Sequence, residues 1–122
     1  MAAVGQIACD PDPSVLRTVW TGVRGARMHA VALGAGAPVV LVHGYGVSGA
    51  YMLPLARSLA DSFTAFVPDL PGQGKSEQLK GAISLAEHAD SLGAWVEANE
   101  LARPAFVANS MGCQVVTELA VR

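Results

Sequence analysis

No basic stripe runs through this sequence: eight Lys and Arg stand against ten Asp and Glu over 122 residues, for a net charge of −2. A nucleic-acid binder needs clustered cations to neutralise phosphates, so that class is excluded. No apolar run approaches the roughly 18–20 residues that a membrane-spanning helix requires, and no membrane partner is expected. The opening residues, Met1 to Ser14, contain Pro11 and Pro13, no Lys or Arg, and only a brief apolar patch. That is not the pattern of a secretory signal. Cysteine is scarce, and Cys9 and Cys113 are far apart with no metal-ligand spacing. Both read as free thiols of a reducing cytoplasm, Cys113 as a small helix-packing residue, and no metal site is expected. No internal repeat or low-complexity segment is present. What remains is a chain 52% hydrophobic with moderate charge, which is the composition of one globular domain at most.

The apolar residues fall into alternating strand and helix patterns. Residues 1–16 read as an irregular lead-in and residues 17–122 as the domain. Arg17–Thr21 and Met28–Leu33 flank a glycine-containing turn and predict a hairpin. Gly34 to Pro38 reads as a loop, and Val39–Val42 as a short strand buried on both faces. A glycine-rich loop, His43–Gly49, precedes a helix expected over Tyr51–Ser62, where Pro54 is tolerable only in the first turn. Thr64–Val67 is the next buried strand, followed by a polar loop to Ala82. Ser84 and Glu87 form a capping box, a serine and glutamate that satisfy each other's free backbone N–H groups. The helix it opens runs to about Asn99, with Leu85, His88, Leu92, Trp95 and Val96 on its apolar face. Ala105–Ala108 is a third buried strand, and Gln114–Arg122 an apolar helical run. Strands alternating with helices predict an α/β fold with a parallel sheet covered on both faces.

Between the last strand and the last helix lie Ala108-Asn-Ser110-Met111-Gly112. Strand, small-x-Ser-x-small, helix is the pattern of a nucleophile elbow, a turn so sharp that the residues two places either side of the serine must be small. Ala108 and Gly112 meet that demand, although glycine is usual at both positions. Such a turn exposes the Ser110 hydroxyl and puts the Met111 N–H at a helix start, where unpaired N–H groups and the helix dipole favour negative charge.

Two other loops leave the C-terminal ends of strands: Leu41-Val-His43-Gly44-Tyr45-Gly46 and Pro68-Asp69-Leu-Pro-Gly72-Gln-Gly74-Lys-Ser76. Loops of this kind gather on one side of a parallel sheet, where such folds place their sites. In this order and spacing the three motifs resemble the α/β-hydrolase family, over about residues 15–122, matching the N-terminal half of that fold. The resemblance implies a serine nucleophile at Ser110 and an oxyanion hole from the backbone N–H groups of Tyr45 and Met111. It implies supporting roles for His43, Gly44, Asp69, Gly72 and Gly74. The implied chemistry is acyl transfer on a small-molecule carboxylic ester or related acyl substrate, without a cofactor. A serine at the elbow disfavours epoxide- and haloalkane-cleaving relatives, which by the same resemblance carry aspartate there.

The family's order is nucleophile, acid, histidine, yet after Ser110 only Glu118 is acidic and no histidine follows. A serine hydroxyl needs a general base, so weak catalysis or none is expected. The chain stops twelve residues after Ser110, which reads as an N-terminal fragment. It is expected to expose strand Ala105–Ala108 as a self-associating edge, with Val115, Val116 and Leu119 partly bare. Two other classes stay open. One is a non-catalytic binding module on the same fold. The other is a Rossmann-type dinucleotide-binding domain, since Gly44, Gly46 and Gly49 spell G-x-G-x-x-G with Asp69 twenty residues beyond as the ribose-binding acid. Gly74-Lys75-Ser76 lacks the first glycine of a phosphate loop. His43 reads as a loop-packing residue, His29 as a half-exposed strand residue, and His88 as a satisfied boundary histidine. Asp90, Glu97, Glu100 and Lys75 read as solvated.

Overall fold

The computed structural model describes Asp12, residues 14–81 and residues 83–121. Most of the expected lead-in, with Cys9, lies outside the described residues. The chain runs β1 (Arg17–Val23), β2 (Ala26–Gly34), β3 (Ala37–Val42), a 3-10 turn (Gly49–Met52), α1 (Leu53–Leu59), β4 (Phe63–Pro68), α2 (Leu85–Ala98), β5 (Ala105–Ala108) and α3 (Met111–Ala120). The five strands form one sheet in the order β1-β2-β4-β3-β5. The expected hairpin forms, and β2 continues antiparallel onto β4. Only β4, β3 and β5 are mutually parallel, with β3 between the other two.

The apolar strand runs explain the layers, because successive side chains of a strand point to opposite faces. Val40 and Val42 of β3 join Phe66, Leu92, Trp95 and Val115 in one core, against α2 and α3. Val39 and Leu41 join Ala56, Ala65 and Val67 in the other, beneath α1. Leu41, Val42, Leu92 and Trp95 have no exposed surface, and full burial of such a side chain contributes about 1.5–3 kcal/mol. Phe66 meets Trp95 edge-on, with ring centroids 6.3 Å apart.

Local signals set the element ends. Pro54 sits in the first turn of α1, as its missing N–H demands. The Ser84–Glu87 capping box forms with both reciprocal bonds and opens α2. Several expectations are corrected. The loop before β3 shrinks to two residues, because Pro38 pairs with Thr64 in the parallel ladder. The expected helix over Tyr51–Ser62 divides into the 3-10 turn and a shorter α1. Leu85 and Cys113 face solvent, so Leu85 is outside the apolar stripe and Cys113 does not pack. Val115 is fully buried, while Val116 and Leu119 are half-buried. α2 lies beside α3 and covers Val115, so no further element is needed to bury it. Among the described residues, no helix is long and apolar enough to cross a membrane.

Candidate active site

Three loops meet at the C-terminal ends of β3, β4 and β5. The turn from β5 to α3 is as sharp as its small residues require. Ser110, the N-cap of α3, has φ 55° and ψ −123°, a conformation that side chains other than glycine seldom adopt. A Cβ on Gly112 would strike the carbonyl oxygen of Val42 and lie 2.7 Å from that of His43. Only glycine fits there. Asn109 N–H donates to Val42 O at 3.1 Å, so the end of β3 also anchors the turn. Ala108 is half-buried at the end of β5 and pairs with Val42.

The β3–α1 loop brings Gly44 against the serine. A Cβ on Gly44 would stand 3.1 Å from Ser110 Cβ and 3.6 Å from its Oγ. Tyr45 follows with its side chain 77% exposed. Among the described residues, no hydrogen bond uses the Ser110 hydroxyl or the N–H groups of Tyr45 and Met111. The first turn of α3 instead closes through Gly112 N–H to Asn109 O and Cys113 N–H to Ser110 O, each 2.9 Å. A serine hydroxyl and unpaired backbone donors therefore stand on adjacent loops at a helix start, an arrangement that favours anionic oxygen.

The β4–α2 loop ties this arrangement down. Leu70 N–H donates to His43 Nε2 at 2.9 Å, and His43 Nδ1–H donates to Gly44 O at 2.7 Å. A nitrogen that accepts an N–H bond carries no proton, so His43 is the neutral Nδ1–H tautomer. Both ring nitrogens are occupied and the residue is fully buried, which leaves it no free nitrogen to act as a base. Gln73 Oε1 accepts from Gly46 N–H at 2.9 Å. Asp69 is the hub. Its Oδ1 accepts from Gly49 N–H at 2.6 Å, and its Oδ2 from Lys75 N–H at 3.1 Å and His29 Nδ1–H at 2.9 Å. Gly74, at φ 55°, packs onto this carboxylate so closely that a Cβ would overlap it. Gly72, at φ 76°, makes the preceding bend.

His29 is the residue that the sequence misplaced. It is 7% exposed rather than half-exposed, because Asp69 and the ring of Trp20, 5.1 Å away, enclose it. Ser76 Oγ–H donates to Asp69 O and accepts from His29 N–H, completing the knot. His88 also departs from expectation: it is buried, but its Nδ1 has no hydrogen-bond partner. Burial, and then the neighbouring His43, hold its pKa below the usual histidine value, with Glu87 opposing. No sequence pattern distinguishes these two environments, since both arise from residues remote in the chain. Lys75, Glu97 and Glu100 are exposed, while half-buried Asp90 approaches Arg24 at 4.0 Å.

The G-x-G-x-x-G spacing does not build a dinucleotide cradle. The acid required for a ribose is 4% exposed with both oxygens bonded internally, and the 3-10 turn begins only at the third glycine, Gly49. Among the described residues, no cluster of His, Cys, Asp and Glu could hold a metal ion.

The comparisons agree with this fold. A family model described as "alpha/beta hydrolase fold" matches residues 37–122. The pimeloyl-[acyl-carrier protein] methyl ester esterase of Vibrio cholerae serotype O1 is 39% identical over 88 residues, covering 72% of this chain and 32% of that protein. The soluble epoxide hydrolase of Corynebacterium sp. strain C12 is 43% identical over 56 residues, covering 46% of this chain and 20% of its own. The crystal structure of Cfl2 from Burkholderia cenocepacia superposes with a TM-score of 0.84 at 30% identity, covering 95% of this chain and 40% of that one. The chain thus spans about a fifth to a third of the length of these curated relatives.

Proposed function

We propose, from the premise that this chain belongs to the α/β-hydrolase fold family, that it carries the nucleophile and oxyanion hole of a serine hydrolase acting on carboxylic esters. The observation that carries the reading is the conformation of Ser110. A non-glycine residue at φ 55° beside a glycine with no room for a Cβ is strain of about 1–3 kcal/mol, retained where it presents a hydroxyl. Ser110 Oγ attacks the ester carbonyl carbon, forming a C–O bond as the carbonyl π electrons move onto oxygen. The N–H groups of Tyr45 and Met111 receive that oxyanion, and each such donor is worth about 10²–10³ in rate. Collapse expels the alcohol and leaves an acyl-serine, which water then hydrolyses. The ester-cleaving relative in Vibrio cholerae supports the ester, and the serine itself weighs against the epoxide chemistry of the Corynebacterium enzyme.

The proton of Ser110 needs a base, and no histidine follows it in these 122 residues. The 122 residues by themselves should therefore act slowly. A fluorophosphonate reagent should label the chain slowly and only at Ser110, with labelling lost in Ser110→Ala. Added imidazole should accelerate it. Rapid labelling, or labelling elsewhere, would overturn the assignment; no labelling even with imidazole would favour a non-catalytic binding module. Self-association is part of the same proposal, because β5 lies at the sheet edge with Val107 36% exposed and no charge or bulge to protect it. Val107→Lys should lower the concentration dependence of the sedimentation coefficient.

A further inference from the structure

A cleft of about 440 Å³ opens between the β3–α1 loop, the β4–α2 loop and the start of α2. Tyr45, Pro71, Gln73, Gln78, Ile83 and His88 lie along it, and among the described residues that line it none is a carboxylate, lysine or arginine. His88 is its buried polar residue, 5% exposed, with Nδ1 unpartnered. Its backbone N–H donates to Ser84 O in the first turn of α2, next to the capping box, which fixes its place on the helix. An unpaired lone pair in a buried site costs less than an unpaired N–H. The favoured neutral tautomer therefore leaves Nδ1 as the bare acceptor and puts the proton on Nε2, as a donor for a ligand. The lowered pKa of His88 keeps the ring neutral near pH 7.

We propose that this cleft is a subsite for an uncharged, oxygen-bearing arm of the ester, with His88 Nε2–H donating to an ether, hydroxyl or carbonyl oxygen. Tyr45, Pro71 and Ile83 hold the carbons beside that oxygen. The link to an ester rests on the hydrolase reading above: Tyr45 joins the cleft to Gly44, which packs against Ser110. With no lysine or arginine among the described residues along the cleft, an arm ending in a carboxylate or phosphate would lie unpaired and is disfavoured. His88 acts here as a specificity residue and takes no part in bond making.

Two probes of equal size separate the outcomes: 2-methoxyethyl butyrate and butyl butyrate, in which an oxygen replaces one CH2. Binding is followed through the His88 side-chain resonances and by titration, using Ser110→Ala to prevent turnover. The ether should bind about three- to tenfold more tightly, the range expected of one hydrogen bond, and should shift the His88 ring signals. In His88→Leu the preference should reverse towards the butyl ester, and in His88→Gln, which keeps a donor, it should survive. A wild-type preference for the butyl ester, unmoved ring signals, or an ether preference that persists in His88→Leu would each overturn the proposal. The wild-type measurement needs no variant, so a misfolded His88→Leu leaves it decidable. Loss of fluorophosphonate labelling with the ether preference intact would count against the hydrolase reading alone; labelling with no preference would count against the subsite alone.

Discussion

The loop around Asp69 and the turn around Ser110 lie at the same end of one sheet and are built on opposite terms. Asp69 is 4% exposed, and its carboxylate accepts three hydrogen bonds, from Gly49, Lys75 and His29. Ser110 is exposed, sits at φ 55°, and its hydroxyl bonds no described residue. Polar groups in the first region are saturated because a buried, unpaired group costs about 1–3 kcal/mol. Those in the second are left open, because a group already paired with the protein must break that bond before it can serve a substrate. The saturated loop also fixes the β3–α1 segment, whose Gly44 packs against Ser110: Leu70, Gln73 and Asp69 bond it at His43, Gly46 and Gly49. Stability and reactivity are thus divided between neighbouring loops, and substitutions should separate them.

The largest effect is expected from Asp69→Ala. It strands His29 and two backbone N–H groups and should cost about 3–5 kcal/mol, as for other broken buried pairs, in urea melts. Ser110→Ala should change stability by less than about 0.5 kcal/mol while abolishing fluorophosphonate labelling. Equal losses in the two variants would end the distinction. Next comes the turn itself. Gly112→Val should cost about 3 kcal/mol by overpacking against the end of β3, whereas Ala108→Gly should cost less than about 1 kcal/mol; thermal melts of the pair test how sharp the elbow is.

A gain is expected at the strained position. Ser110→Gly relieves the positive φ and should stabilise the chain by roughly 1 kcal/mol, while losing all labelling. Destabilisation would mean that the turn is not strained. The smallest effect concerns His88. Its folded pKa lies below the ordinary value of 6.5 because of burial, so between those two pH values the unfolded chain binds more protons than the folded one. Stability is then complete above about pH 6.5 and falls as the pH drops below it. His88→Gln should flatten that slope in urea melts recorded from pH 7.5 to 5.5, and an unchanged slope would assign the acid sensitivity elsewhere.

Much of this was readable in one dimension. Continuous apolar runs at Val39–Val42, Thr64–Val67 and Ala105–Ala108 marked three strands within a residue or two of their starts and ends. Burial on both faces keeps β3 and β4 nearly free of polar positions, but β5, expected to be buried, lies at the sheet edge with Ala105 and Val107 exposed. The capping box and Pro54 marked helix starts through bonds made within one turn. The elbow was legible because steric crowding in a sharp turn acts on residues two apart, Ala108 and Gly112 about Ser110. Such local constraints the sequence determined by itself. Tertiary structure decided which polar groups meet. His29 and Asp69 are forty residues apart and pair only because β2 lies antiparallel to β4. His88 lost its partner, and Val115 gained its cover, through the packing of α2 on neighbours remote in the chain. Burial and pairing of this kind depend on where strands and helices come to rest in space, and no short stretch of sequence contains that information.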